Sequence, residues 1–185
     1  MNSILLFVLS TTTVFLTAAG QDQVAFSASR SMPIDGGIVA ETPITFDKVL
    51  VNIGNDFNPM TGLFTCRVPG VYVVTFSAAP GANKQLHLDL IKTTSATGID
   101  SSLGSLQKTK QSAHLDVSSR TVLVSLSVGD KLRLRQPMGL QFGLYSDWEQ
   151  QTSFSSFLLY AGVFPTPPQG QLNQYGFQGS TVAGS

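Results

Sequence analysis

The 185-residue chain has one cysteine (Cys66), two histidines (His87 and His114) and one tryptophan (Trp148). A single cysteine excludes an intrachain disulfide even in an oxidising compartment. Its neighbours Phe64, Val68 and Val71 predict a buried free thiol. Neither histidine lies in a nucleophile, metalloprotease or phosphate-binding motif, so an enzyme is not expected. Gly54-Asn55-Asp56 lacks the ligand spacing of an EF-hand calcium loop. Charge is scarce and balanced, with 11 Lys+Arg against 11 Asp+Glu, all between Asp22 and Glu149. That balance argues against nucleic acid or an anionic membrane as an obligatory partner. No Asn-x-Ser/Thr sequon occurs, so N-glycosylation is not expected.

Long apolar runs are confined to the start of the chain. Residues 1–20 carry no charged side chain and hold the run Ile4 to Leu9, then Val14, Phe15 and Leu16. Thr11 to Thr13 interrupt this run before the roughly 18 apolar residues of a membrane span accumulate. Ala18, Ala19 and Gly20 offer small residues for cleavage, so 1–20 read as a signal peptide. The expectation is a secreted, extracellular protein without stable membrane insertion. Composition shifts again at Pro165: residues 165–185 have no charge, three prolines, four glycines and four glutamines. Such a segment buries too little apolar area to offset its ordering entropy and is expected to be a disordered tail. Tyr175 and Phe177 within it could make it weakly adhesive. Residues 21–164 remain as one domain.

Within that domain short strands alternate with turn signals, and no helix pattern is convincing. Val24 to Ser29, Ile44 to Asn52, Phe64, Val71 to Ala78 and Leu86 to Leu90 read as strands. In TVLVSLSVGDKLRLR, Val122, Val124, Leu126 and Val128 share one face. Gly129-Asp130 is expected to turn this strand into a hairpin with Leu132 and Leu134. The last strand, Ser153 to Val163, is apolar on both faces: Phe154, Leu158 and Tyr160 on one, Phe157, Leu159 and Ala161 on the other. It therefore needs a second packed layer or a subunit interface.

Several blocks together resemble the globular head of complement C1q. They are Val24-Ala25-Phe26-Ser27-Ala28, Pro43-Ile44-Thr45-Phe46, Thr61-Gly62-Leu63-Phe64-Thr65-Cys66, Val68-Pro69-Gly70-Val71-Tyr72, Val128-Gly129-Asp130 and Ser153-Phe154 through Tyr160. The resemblance implies an all-β, ten-stranded jelly-roll sandwich of the C1q/tumour-necrosis-factor-like type that forms homotrimers and binds rather than catalyses. Phe64, Gly70, Tyr72, Phe76, Gly129, Asp130, Phe154 and Phe157 are the signature positions. Glycines 62 and 70 are read as turn formers. The aromatics are read as core. No Gly-X-Y run precedes Val24, so a head-only secreted protein is expected. The function implied is a lectin-like innate immune pattern-recognition molecule binding glycan, lipid or protein surface ligands. A matrix or adhesive protein assembled through its tail, or a tumour-necrosis-factor-like signalling ligand, are the alternatives.

Some members of that family hold calcium near the trimer apex, and Asp116 stands at a matching position. Lys108 stands where a second aspartate can occur, so calcium is a possible cofactor with a poor cage. Lys131, Arg133 and Arg135 place three cations on one strand face, spaced to grip carboxylates or sulfates. Their plainer role is to keep a strand solvated. Trp148, between Asp147 and Glu149, could stack on a sugar.

Overall fold

The computed structural model describes residues 23–37, 40–109 and 116–163; the leader, His114 and the tail lie outside them. Among the described residues there are thirteen strands and no helix. In chain order they are β1 (Ala25–Arg30), β2 (Ile34–Asp35), β3 (Thr42–Pro43), β4 (Lys48–Ile53), β5 (Phe57–Asn58), β6 (Leu63–Thr65) and β7 (Gly70–Pro80). The rest are β8 (Leu86–Thr93), β9 (Asp100–Lys108), β10 (Ser118–Leu126), β11 (Lys131–Gln136), β12 (Gly143–Tyr145) and β13 (Thr152–Ala161). Three of these, β2, β3 and β5, are two-residue pieces, which leaves ten longer strands. The first sheet runs β2-β12-β7-β13-β1-β4, with β10 also on β7. The second runs β5-β6-β11-β8-β9, with β3 on β11. The named strand pairs are all antiparallel, and the two sheets enclose one apolar core as a jelly-roll sandwich.

Period-two alternation explains which side chains meet there. Tyr72, Val74, Phe76 and Ala78 of β7 face Leu86, Leu88 and Leu90 of β8 and Leu132 and Leu134 of β11 across the sandwich, all buried. Phe26 stacks on Phe57 with centroids 4.2 Å apart and meets Phe154 edge-on at 4.9 Å. Each such pair adds about 0.5–1.5 kcal/mol beyond its area. Cys66 is a buried free thiol that donates to the Val68 carbonyl, and burial pushes the thiol above its ordinary pKa.

Several sequence expectations are corrected. Residues 121–135 do not form a hairpin: β10 pairs with β7 in the first sheet, β11 with β6, β8 and β3 in the second. Each strand has one apolar face and satisfies it on a different sheet, so Gly129-Asp130 carries the chain across the sandwich. The crossing is pinned by reciprocal backbone bonds, Cys66 N–H to Asp130 O at 2.8 Å and Gly129 N–H to Cys66 O at 2.7 Å. Val128 lies in this crossing, exposed, rather than on the β10 core face. Ile44 and Phe46 belong to the core but precede β4, which begins only at Lys48.

The β13 faces also differ from their simple alternation. Phe157 is 47% exposed on the outer surface, not in the core. A bulge between Leu158 and Tyr160 then shifts the register and turns Tyr160 outward as well. Gly70 is not a turn former. It lies in β7 without positive φ, and a Cβ there would stand 2.2 Å from the Tyr160 carbonyl oxygen. Gly62 is the left-handed one, with φ +65.

Candidate functional site

The cationic strand alternates as its sequence demands, with Lys131, Arg133 and Arg135 on the outer face of the second sheet and Leu132 and Leu134 inside. The arginines are engaged. Arg133 donates to Thr93 Oγ1 at 2.8 Å and pairs with Asp100. The Thr93 hydroxyl holds the Asp100 carboxyl below its usual value; burial opposes it, and Arg133 adds to the lowering. Arg135 pairs with Glu41 at 2.8 Å and approaches Asp89 at 3.7 Å. Only Lys131 of the three has no carboxylate partner among the described residues, so the stripe is a neutralised network rather than an open anion clamp.

Trp148 stands 78% exposed on the loop between β12 and β13. Asp147 organises that loop. It accepts from Tyr145 Oη at 2.8 Å, the Glu149 N–H at 2.8 Å and the Gln151 carboxamide at 2.9 Å. Those bonds, Gln151 first, lower the Asp147 pKa, and the bond to the Asp147 carboxylate raises that of Tyr145. Gln150 closes the turn onto the Asp147 carbonyl with φ +57. The indole is thus presented on a fixed turn with no packing role.

The outer face of the first sheet carries a different feature. Ile53, Ala25, Phe157, Val73 and Leu123 stand side by side across β4, β1, β13, β7 and β10. Ile53 is 47% and Leu123 66% exposed. The next row is hydroxylic on β1, β13, β7 and β10, where Ser27 and Ser155 bond at 3.0 Å and Thr75 and Thr121 at 2.9 Å, with Val51 of β4 at its edge. Apart from Val51 on the edge strand β4, the apolar surface of this face lies at the end of the sheet where β1 begins and β13 ends.

A model of the C1q domain matches residues 25–159, most of the chain and nearly all of this sandwich. The chain belongs to the C1q domain family. Complement C1q and tumor necrosis factor-related protein 9 of Mus musculus is 32% identical over 124 residues, 65% of this chain and 34% of that protein. Complement C1q tumor necrosis factor-related protein 2 of Mus musculus is 34% identical over 122 residues, 64% and 38% respectively. The chain thus spans little more than a third of the curated relatives it matches. The globular domain of zebrafish complement 1qA protein aligns with TM-score 0.59 at 28% identity, over 75% of this chain and 99% of that one. Eiger TNF from S. frugiperda aligns with TM-score 0.62 over 80% of this chain and 99% of that one, at 13% identity, which shows the shared fold alone.

Within the C1q domain, the residues at the calcium position do not fit a cation. Asp116 pairs with the Lys108 ammonium, which puts a positive charge where a second acidic ligand would be needed. Among the described residues no three metal-ligating side chains come together.

Sequence reasoning missed Gln107 and Phe142, which meet His87 at the loop end of the second sheet. Gln107 lies on β9, whose run DSSLGSLQK is too rich in serine and glycine to show a strand pattern. His87 is solvent-facing on β8, as expected, but is held there by Asp89, with Nε2 3.3 Å from Oδ1.

Proposed function

We propose that this C1q domain belongs to a secreted recognition protein that assembles as a homotrimer and binds glycans or other surface ligands, as a lectin-like innate immune pattern-recognition molecule. The observation that carries this reading is the apolar row Ile53–Ala25–Phe157–Val73–Leu123. Apolar residues aligned across five strands, with Ile53, Phe157 and Leu123 exposed and Ala25 and Val73 half-buried between them, mark a contact surface. Covering that row by another copy also answers why β13 is apolar on both faces. Three heads on one axis raise the avidity of individually weak sites without new contacts. Engaged ion pairs on β11 and the exposed Trp148 support ligand recognition by loops and outer strands over electrostatic capture of polyanions.

Glycan-array binding of the purified protein, with and without calcium, tests the recognition half. Specific signal on a subset of glycans is the expected result. No signal in either condition overturns the lectin reading. Saturable binding to one cell-surface protein, indifferent to competing sugars, turns it toward a signalling ligand.

A further inference from the structure

Where β8 begins and β9 ends, the second sheet's outer surface holds a pocket of about 420 Å³ lined by Gln85, His87, Gln107, Lys108 and Phe142 among others. We propose that this pocket is a subsite for one neutral sugar residue. The inference rests on the glycan-recognition reading and names where that recognition occurs.

The pocket is built by backbone pairing on both sides. His87 and Gln107 are cross-strand neighbours, so their side chains stand together on the outer face. Gln85 and Phe142 are joined by a parallel bridge, with the Gln85 N–H donating to the Gln141 carbonyl at 2.7 Å. The Phe142 ring meets the His87 ring edge-on, centroids 5.3 Å apart at 87°. An imidazole, a phenyl wall and two carboxamides therefore converge on one concavity at fixed positions.

Their chemistry selects the ligand class. Asp89 and the Gln107 amide both approach His87 Nε2, at 3.3 Å each, which leaves Nδ1 without a partner among the described residues. The Gln85 carboxamide makes no side-chain hydrogen bond there either, and Gln107 Oε1 remains open. Donors and acceptors thus alternate at short range beside an aromatic face. Vicinal hydroxyls and the C–H face of a pyranose match that arrangement.

Charge decides against acidic sugars. Lys108, the one lysine or arginine lining the pocket, is already paired with Asp116, and the Asp89 carboxylate stands 3.3 Å from His87 Nε2. An incoming carboxylate or sulfate would have to displace one of these partners. The pocket also lies on the sheet opposite the apolar row, so association through that row leaves every copy's pocket open.

The test uses the full-length protein, with methyl glycosides of galactose, mannose and N-acetylglucosamine as neutral probes and sialyllactose and sulfated galactose as acidic ones. Saturation-transfer NMR and titration calorimetry read binding to the wild type, Phe142→Ala, Gln107→Leu and, as a control, Arg133→Ala. The expected result is binding of at least one neutral glycoside, about tenfold or more weaker in Phe142→Ala and Gln107→Leu and unchanged in Arg133→Ala. Gln107→Leu keeps the test open if Phe142→Ala misfolds, since Gln107 lies on the surface. Neutral binding that both pocket variants leave intact overturns the pocket while the recognition reading stands. Binding of acidic probes alone overturns the neutral assignment. Failure of the wild type to bind any glycan overturns both.

Discussion

The Lys92 ammonium lies 2.9 Å from the Asp130 carboxylate, which is only 1% exposed, at the crossing between the two sheets. The same carboxylate accepts the backbone N–H groups of Ser95 at 2.9 Å and Ser127 at 3.0 Å. Lys92 donates in turn to the Ser125 carbonyl at 2.9 Å. One side chain thus ties the ends of β10 and β8 to the turn that sets the sheet assignment of β11.

Asp130→Asn should destabilise the domain by about 3–5 kcal/mol, because it leaves the Lys92 charge nearly buried without its partner. Urea denaturation at neutral pH measures this, and a loss below about 1 kcal/mol would contradict the role assigned to the pair.

Acid should act through the same group. Burial by itself raises the Asp130 pKa, but Ser95, Ser127 and Lys92 outweigh it and hold the carboxyl below its ordinary value. A depressed folded-state pKa contributes stability that is present above the unfolded value of about 3.9 and lost as pH falls through the folded one. Stability should therefore decline below about pH 4, with a shallower slope in Asp130→Asn than in the wild type. Equal slopes would assign the acid limb to Asp47, Asp100 and Asp147, whose pKa values are also lowered.

Tyr72→Phe should cost about 1–3 kcal/mol with the fold unchanged. The Tyr72 hydroxyl donates to the buried Val68 carbonyl at 2.6 Å, and the Cys66 thiol is the weaker second donor to that oxygen. Burial, with Cys66 and Asp56 adding to it, pushes the phenol far above its ordinary pKa, so it stays a donor throughout the working range. Thermal unfolding of Tyr72→Phe beside Cys66→Ala separates the two donors, and the tyrosine should account for the larger loss.

Calcium should not stabilise this C1q domain. A divalent ion bound at a hundred times its dissociation constant would add about 2.7 kcal/mol. With Asp116 held by Lys108, millimolar calcium should leave Tm unchanged; a clear rise abolished by Asp116→Asn would contradict the fit described for that site.

Much of the fold was legible because β7 and β11 alternate cleanly, and because Phe64, Tyr72, Phe76 and Phe154 are large apolar groups in strands. Sheet membership was not. Alternation in β10 and β11 reports which side of each strand is buried, and a hairpin and a crossing between sheets bury the same residues. The placement of Phe157 was ambiguous for a related reason, since a strand apolar on both faces does not show in its sequence which face is inside. Ligand surfaces were fainter still. Lys131, Arg133 and Arg135 look like a cationic stripe until Asp100, Glu41 and Asp89 arrive from distant strands and loops. The pocket depends on β9, where Ser101, Ser102, Gly104 and Ser105 give no period to follow.

In the proposed homotrimer the Ile53–Ala25–Phe157–Val73–Leu123 row is covered by other copies of the chain. Sedimentation velocity of the wild type and of Phe157→Asp at micromolar concentration tests it most directly. The wild type should sediment as a trimer, and Phe157→Asp as a monomer whose near-ultraviolet circular dichroism remains native. A monomeric wild type, or a Phe157→Asp protein that stays trimeric, would contradict the account.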